Sequence, residues 1–170
     1  EGFFSATTDK IAKEAGLAVG TIYNYFSNKE DILKYIFDVE YQKRYEFYQR
    51  VKDSHKDPLL KIKELLDFHF NEIQKEPDII RIVLAEKVTA SRSKLMPLEK
   101  YTKLSALFSE IFVEGMEEGY FRQCDPKILS MVIFGFLEAA MSAFLSSKEV
   151  HLLNRGTEEL IGLLRTGLMR

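Results

Sequence analysis

The chain has 170 residues, 46% of them hydrophobic and 29% charged, an ordinary globular balance with room for one or two domains and a sizeable core. Its single cysteine, Cys124, excludes an intramolecular disulfide framework and a cysteine-based zinc cluster. The net charge of −2, with nine Lys/Arg against ten Asp/Glu in residues 1–57, lacks the basic excess usual for nucleic-acid binding. Lys10, Lys13 and Lys29 could still face phosphate while the acids point away.

In chain order, Thr7 and Thr8 suit a helix N-cap, and Ile11, Ala12 and Ala15 fall three and four apart on one apolar face. Gly16 marks the stop, where a left-handed residue favours glycine, and a short turn of this kind joins two helices at a steep angle. The spacing predicts a second helix over Val19 to Phe26. Val19, Ile22, Tyr23 and Phe26 share one face of it, the inner one that can pack on the preceding helix; Gly20, Thr21, Asn24 and Tyr25 share the other. The second face offers an open backbone position, a hydroxyl, an amide and a phenol, groups suited to base edges and phosphates in a major groove. Ser27 to Glu30 reads as an S-x-x-E capping box that opens a third helix. Lys29 in its first turn opposes the helix dipole, a penalty that a bound phosphate would offset.

These residues carry a resemblance. Thr-Thr, Ile-Ala, Ala-Gly-Leu, Gly-Thr-Ile-Tyr, Tyr-Phe and Asn-Lys-Glu, running from Gly2 to Leu33 without gaps, resemble the DNA-binding signature of TetR-family transcriptional regulators. The resemblance implies that Thr8, Gly20, Thr21, Tyr23, Tyr25 and Lys29 fall on positions the family uses at DNA. Val19 and Asn24 complete the candidate DNA-binding set, although Val19 is a departure, since many members carry a polar residue there. The resemblance also implies a further helix ahead of this head, outside the sequence, and a dimer on a pseudo-palindromic operator, with repression the family-level expectation.

From Asn28 the helical pattern continues to about His55, with an apolar stripe followed by Tyr41, Tyr45 and Tyr48 as a half-buried packing surface. Asp57-Pro58 and Asp125-Pro126 each pair an N-cap with proline at the first helical position. Helices are expected near 58–75, 77–92, 97–118, 126–146 and 154–168, with Gly119 closing the third of these. The fold class is all-α: a helix-turn-helix head over residues 1–33 and a helical ligand-binding and dimerisation body over 34–170. The helix near 126–146 is apolar around nearly its whole circumference, so it is either central or covered by a second subunit. Paired with the helix near 154–168, it would form a four-helix homodimer interface. The longest unbroken apolar run, Met131 to Leu137, is far shorter than the ~20 residues of a membrane span. With no export signal, the protein is expected in the cytoplasm, off the membrane.

The input of such a regulator is a small hydrophobic effector. Phe68, Leu84, Phe108, Phe112, Met131 and Phe134 are the apolar ligand-binding candidates. His69 and Glu138 are the polar ones, because each interrupts an apolar face and burial without a partner is costly. That partner is either a protein group or a ligand. The body, chiefly Ala85 to Leu95 and Val132 to Phe144, also resembles regulators of fatty-acid degradation in Gram-positive bacteria. This implies a long-chain acyl-CoA, with Arg81, Lys87, Arg92 and Lys94 as candidate cations for its phosphates. No metal site and no cofactor are expected. Without a glycine-rich phosphate loop or a nucleophile motif, enzyme activity is not expected either. The alternative is a helical small-molecule-binding or protein-interaction module that does not read DNA.

Overall fold

The computed structural model describes residues 5–82, 98–147 and 150–169. Its helices are α1 (Thr8–Glu14), α2 (Val19–Tyr23), α3 (Lys29–Lys52), α4 (Pro58–Lys75), α5 (77–82 among the described residues), α6 (Leu98–Glu117), α7 (Pro126–Ser147) and α8 (Val150–Leu168). Among the described residues no strand forms, only an isolated bridge between Phe121 and Met169. The all-α expectation holds.

Local chemistry sets the boundaries. The Thr7 hydroxyl accepts from the Lys10 N–H at 3.3 Å and caps α1. At the other end Gly16 has φ +67°, and the N–H groups of Gly16 and Leu17 bond the Lys13 and Ala12 carbonyls at 3.1 and 2.9 Å. This double closure satisfies two carbonyls that the helix end would otherwise leave open. The second helix is shorter than its periodicity predicts. The N–H groups of Tyr25 and Phe26 both reach the Ile22 carbonyl, at 3.0 and 2.9 Å, so the chain tightens and α2 ends at Tyr23.

The cap of α3 also shifts. Asn28, not Ser27, takes the capping position, with its Oδ1 accepting from the Asp31 N–H at 2.8 Å. Asp31 in turn accepts from the Ser27 N–H at 3.0 Å. Asn caps as well as Ser, and with Asn28 in place the acid three residues on is Asp31 rather than Glu30. Helix α3 then runs for about 36 Å. Asp57 and Asp125 cap α4 and α7 as expected, each Oδ1 accepting from two backbone N–H groups beyond its proline.

Helix α4 is the centre of the body, packed by α3, α6, α7 and α8. Its stripe Ile62, Leu66 and Ile73 meets the α6 stripe Leu104, Phe108, Ile111 and Phe112, all buried. Tyr48 of α3 meets Phe108 edge-on at 5.5 Å, and Phe134 of α7 meets the same ring at 5.6 Å. Lys61 is buried as well. Its ammonium bonds the Lys52 carbonyl at 2.7 Å and Glu114 at 2.5 Å, tying α4 to the end of α3 and to α6. Gly115 is required by packing: a Cβ there would lie 2.2 Å from the Phe121 ring.

Helix α7 is not surrounded within its own subunit. Ser130, Ile133, Leu137 and Phe144 form its buried stripe, while Ile128, Met131 and Val132 are 59, 71 and 51% exposed. By length and composition α7 could cross a bilayer, which counting only unbroken apolar runs does not reveal. Its inner stripe nevertheless belongs to the core, and the Ser130 hydroxyl bonds the Pro126 carbonyl at 2.8 Å and Ser109 at 2.7 Å. Leu152 and Leu163 of α8 are exposed as well.

Candidate functional site

The head presents a small polar surface on a packed base. Ala12 and Ile22 close the interior between α1 and α2. Outside it, Val19, Gly20, Thr21, Tyr23, Asn24 and Tyr25 are all exposed, Tyr25 by 79%. Val19 and Tyr23, expected to face inward, therefore lie with the outer group. Of the predicted inner face only Ile22 and the half-buried Phe26 turn in, and Phe26 meets Tyr35 edge-on at 5.6 Å. Nothing lies within 4 Å of where a Gly20 side chain would begin. The chain's own packing thus leaves the Gly20 backbone open to close approach by a ligand.

Two expected contacts sit differently. Thr8 is only 8% exposed: because Thr7 takes the cap, Thr8 turns to the inner face one turn before Ala12. Lys29 is half-buried, and its ammonium donates to the Ala6 carbonyl at 3.2 Å, tying the start of α3 to the segment before α1. Lys10 and Lys13 are exposed on α1.

Two family models match the chain. Residues 1–36 match the model described as "Bacterial regulatory proteins, tetR family", and residues 58–148 match "Tetracyclin repressor-like, C-terminal domain". The chain belongs to the TetR family. Accordingly it is a DNA-binding transcriptional regulator, with a helix-turn-helix head and a helical ligand-binding body. It is 25% identical to the fatty acid metabolism regulator protein of Bacillus subtilis (strain 168), over 98% of this chain and 87% of that one. Among solved structures, fatty acid degradation regulator FadR from Bacillus halodurans is 29% identical, covering 99% of this chain and 88% of its own with a TM-score of 0.79. FadR from Bacillus subtilis in complex with stearoyl-CoA is 25% identical, covering 94% and 89% with a TM-score of 0.74.

Within this TetR-family body the ligand-binding candidates do not all converge. Phe108 and Phe112 are fully buried, and Phe134 is half-buried against Phe108. Phe68 is half-buried too, stacked on Phe47 of α3 at 3.8 Å. Met131 and Glu138 are exposed and require correction as interior residues. The inward stripe of α7 passes through Ser130 and Leu137, and each of these two follows its stripe residue by one position, about 100° around the helix. Leu84, Lys87, Arg92 and Lys94 lie outside the described residues, and exposed Arg81 pairs with Asp78 at 2.6 Å.

His69 is the exception among the polar candidates. The residue is half-buried, but both ring nitrogens are shut from solvent, and neither has a protein partner among the described residues. Burial, helped by the charge of Arg44, pulls its pKa down to about 3, so the ring is neutral at physiological pH. Sequence reasoning missed Arg44, and it placed Tyr48 on a half-buried surface where the structure buries it fully. Arg44 is buried on α3 and donates to both the carbonyl and the carboxylate of Glu40. Burial pushes the Tyr48 hydroxyl well above its usual range, against a smaller opposing effect of Arg44. Their spacing of four, continuing from Glu40, was the available signal.

Proposed function

We propose that this TetR-family protein is a homodimeric repressor that leaves a pseudo-palindromic operator when a long-chain acyl-CoA enters its body. The observation that carries the effector is the likeness, at 25% identity and over 94% of this chain, to a FadR solved with stearoyl-CoA. The aromatic interior around Phe108, Phe112 and Phe134 supports the same reading, since an acyl chain needs adaptable apolar volume. Residues 1–33 form the reading head and 34–170 the sensing and pairing body, acting in the cytoplasm with no catalytic role.

The exposed apolar residues of α7 and α8 seat the second subunit. Pairing places two copies of Gly20, Thr21, Asn24 and Tyr25 on one duplex, with phosphates held by Lys29 and the phenols. Effector and operator act on the same equilibrium, so only a difference in effector affinity between the two head spacings can release DNA. A hundredfold loss of DNA affinity requires about 2.7 kcal/mol of such coupling.

The test is titration of purified dimer onto operator DNA selected from a genomic pool, at several salt concentrations, with and without acyl-CoA of graded length. A steep salt dependence and release by the longer chains are expected. Affinity unchanged by every chain length would refute the effector, and binding with no salt dependence would refute the DNA interface.

A further inference from the structure

On α4 the positions Ile62, Leu66 and Ile73 are completely buried, and His69 shares their face. An imidazole offers one donor and one acceptor when neutral, and each costs about 1–3 kcal/mol if buried unmade. Neither His69 nitrogen meets a protein group among the described residues, and both are closed to solvent. The charged group near it, Arg44 of α3, is already committed to Glu40. Its other ring neighbour is Phe70, edge-on at 6.1 Å, which itself meets Phe136 of α7 at 5.8 Å. A hydrogen-bonding group thus stands in an aromatic interior, beside a neutralised ion pair, without a partner among the described residues.

The chemistry of the missing partner is constrained. With burial and the Arg44 charge holding the ring neutral, the partner is one that a neutral imidazole can meet, an acceptor for its N–H or a donor for its other nitrogen. An uncharged carbonyl oxygen is such an acceptor, since a neutral imidazole N–H can donate to it directly. We infer that His69 donates a hydrogen bond to an uncharged oxygen of the effector, which in an acyl-CoA is the thioester carbonyl. His69 is thereby the residue that distinguishes a carbonyl-bearing chain from a plain alkyl chain of equal length. This role rests on the acyl-CoA reading above.

The test compares stearoyl-CoA with the matching S-alkyl-CoA thioether, in which CH2 replaces the carbonyl. Calorimetry and operator release are measured on the intact wild-type dimer and on His69→Phe and His69→Gln. The wild type should bind the thioester about tenfold more tightly, the scale of one well-made buried hydrogen bond. His69→Phe should abolish that preference, and its urea midpoint without ligand should rise, because the orphaned nitrogens are gone. His69→Gln, which keeps a donor, should retain part of the preference.

A merely structural histidine would behave in the opposite way: stability would fall in His69→Phe and the thioester preference would survive, overturning the proposal. Should His69→Phe not fold, the 15N shifts of the wild-type imidazole decide, since they should move with the thioester and not with the thioether. Equal binding of the two ligands, with operator release intact, overturns the role of His69 alone. A wild type that binds neither ligand overturns the acyl-CoA reading itself.

Discussion

Acidification should destabilise this protein through His69 in a window that can be calculated. The imidazole titrates near 6.5 in an open chain and at about 3 in the folded one. Its folded pKa is depressed, so the unfolded state takes up a proton that the folded state refuses. The associated stability is complete above pH 6.5 and is lost as pH falls toward 3. Between pH 6.5 and 5.0 this is about 1.5 pH units at 1.36 kcal/mol each, roughly 2 kcal/mol, or about 5 kcal/mol over the whole window. Glu72 does not interfere at pH 5. Burial raises its carboxyl, but hydrogen bonds from Lys43 and Lys75 outweigh this and hold it below the usual range, so its contribution is lost only at lower pH. Urea unfolding of wild type and His69→Phe, at pH 7.5, 6.0 and 5.0 and one protomer concentration, isolates the effect. Wild type should lose about 2 kcal/mol more than the variant between the extremes. Equal losses, or a His69 C2–H resonance that titrates between pH 5 and 7.5, would refute the reasoning.

Gly20→Ala should leave thermal stability unchanged or slightly raised, since no atom opposes the added methyl, while operator affinity measured by anisotropy falls at least about tenfold. Asn28→Ala should cost about 1 kcal/mol in thermal melts and Ser27→Ala almost nothing, because the cap of α3 is Asn28. Gly115→Ala should cost about 1–3 kcal/mol in urea unfolding, as the Phe121 ring must shift to admit the methyl. Met131→Glu combined with Leu163→Glu should convert dimer to monomer in sedimentation velocity with unchanged far-UV circular dichroism.

The legible parts of the fold were those in which one residue type decides a local event. Asp57-Pro58 and Asp125-Pro126 opened α4 and α7 at the expected residues, and Gly16 closed α1 with a positive φ. The end of α2 was not legible, because the tightened turn onto the Ile22 carbonyl leaves no mark on side-chain periodicity. The choice between Ser27 and Asn28 was equally hidden, since the two cap almost equally well and each has an acid three residues on. In the candidate site, His69 could be found as a polar break in an apolar stripe. Glu138 and Met131 could not be assigned, because a helix apolar on every side does not reveal which stripe meets its own core and which meets another chain. Arg44 was obscured among the charges of α3, and its burial depends on what α4 brings against it.

The end of α8 is stapled to the loop that precedes α7. There the Arg122 N–H bonds the Leu168 carbonyl at 2.8 Å, and its guanidinium bonds Gly167 at 2.6 Å. Helix α3 spans the distance from that body to the head, so a small rotation at one of its ends becomes a displacement at the other. A tilt of about 5° pivoting at Tyr48 displaces Asn28, roughly 30 Å away along α3, by about 2.6 Å. Two subunits tilting oppositely shift the reading surfaces by about 5 Å, a large fraction of a major groove about 12 Å wide.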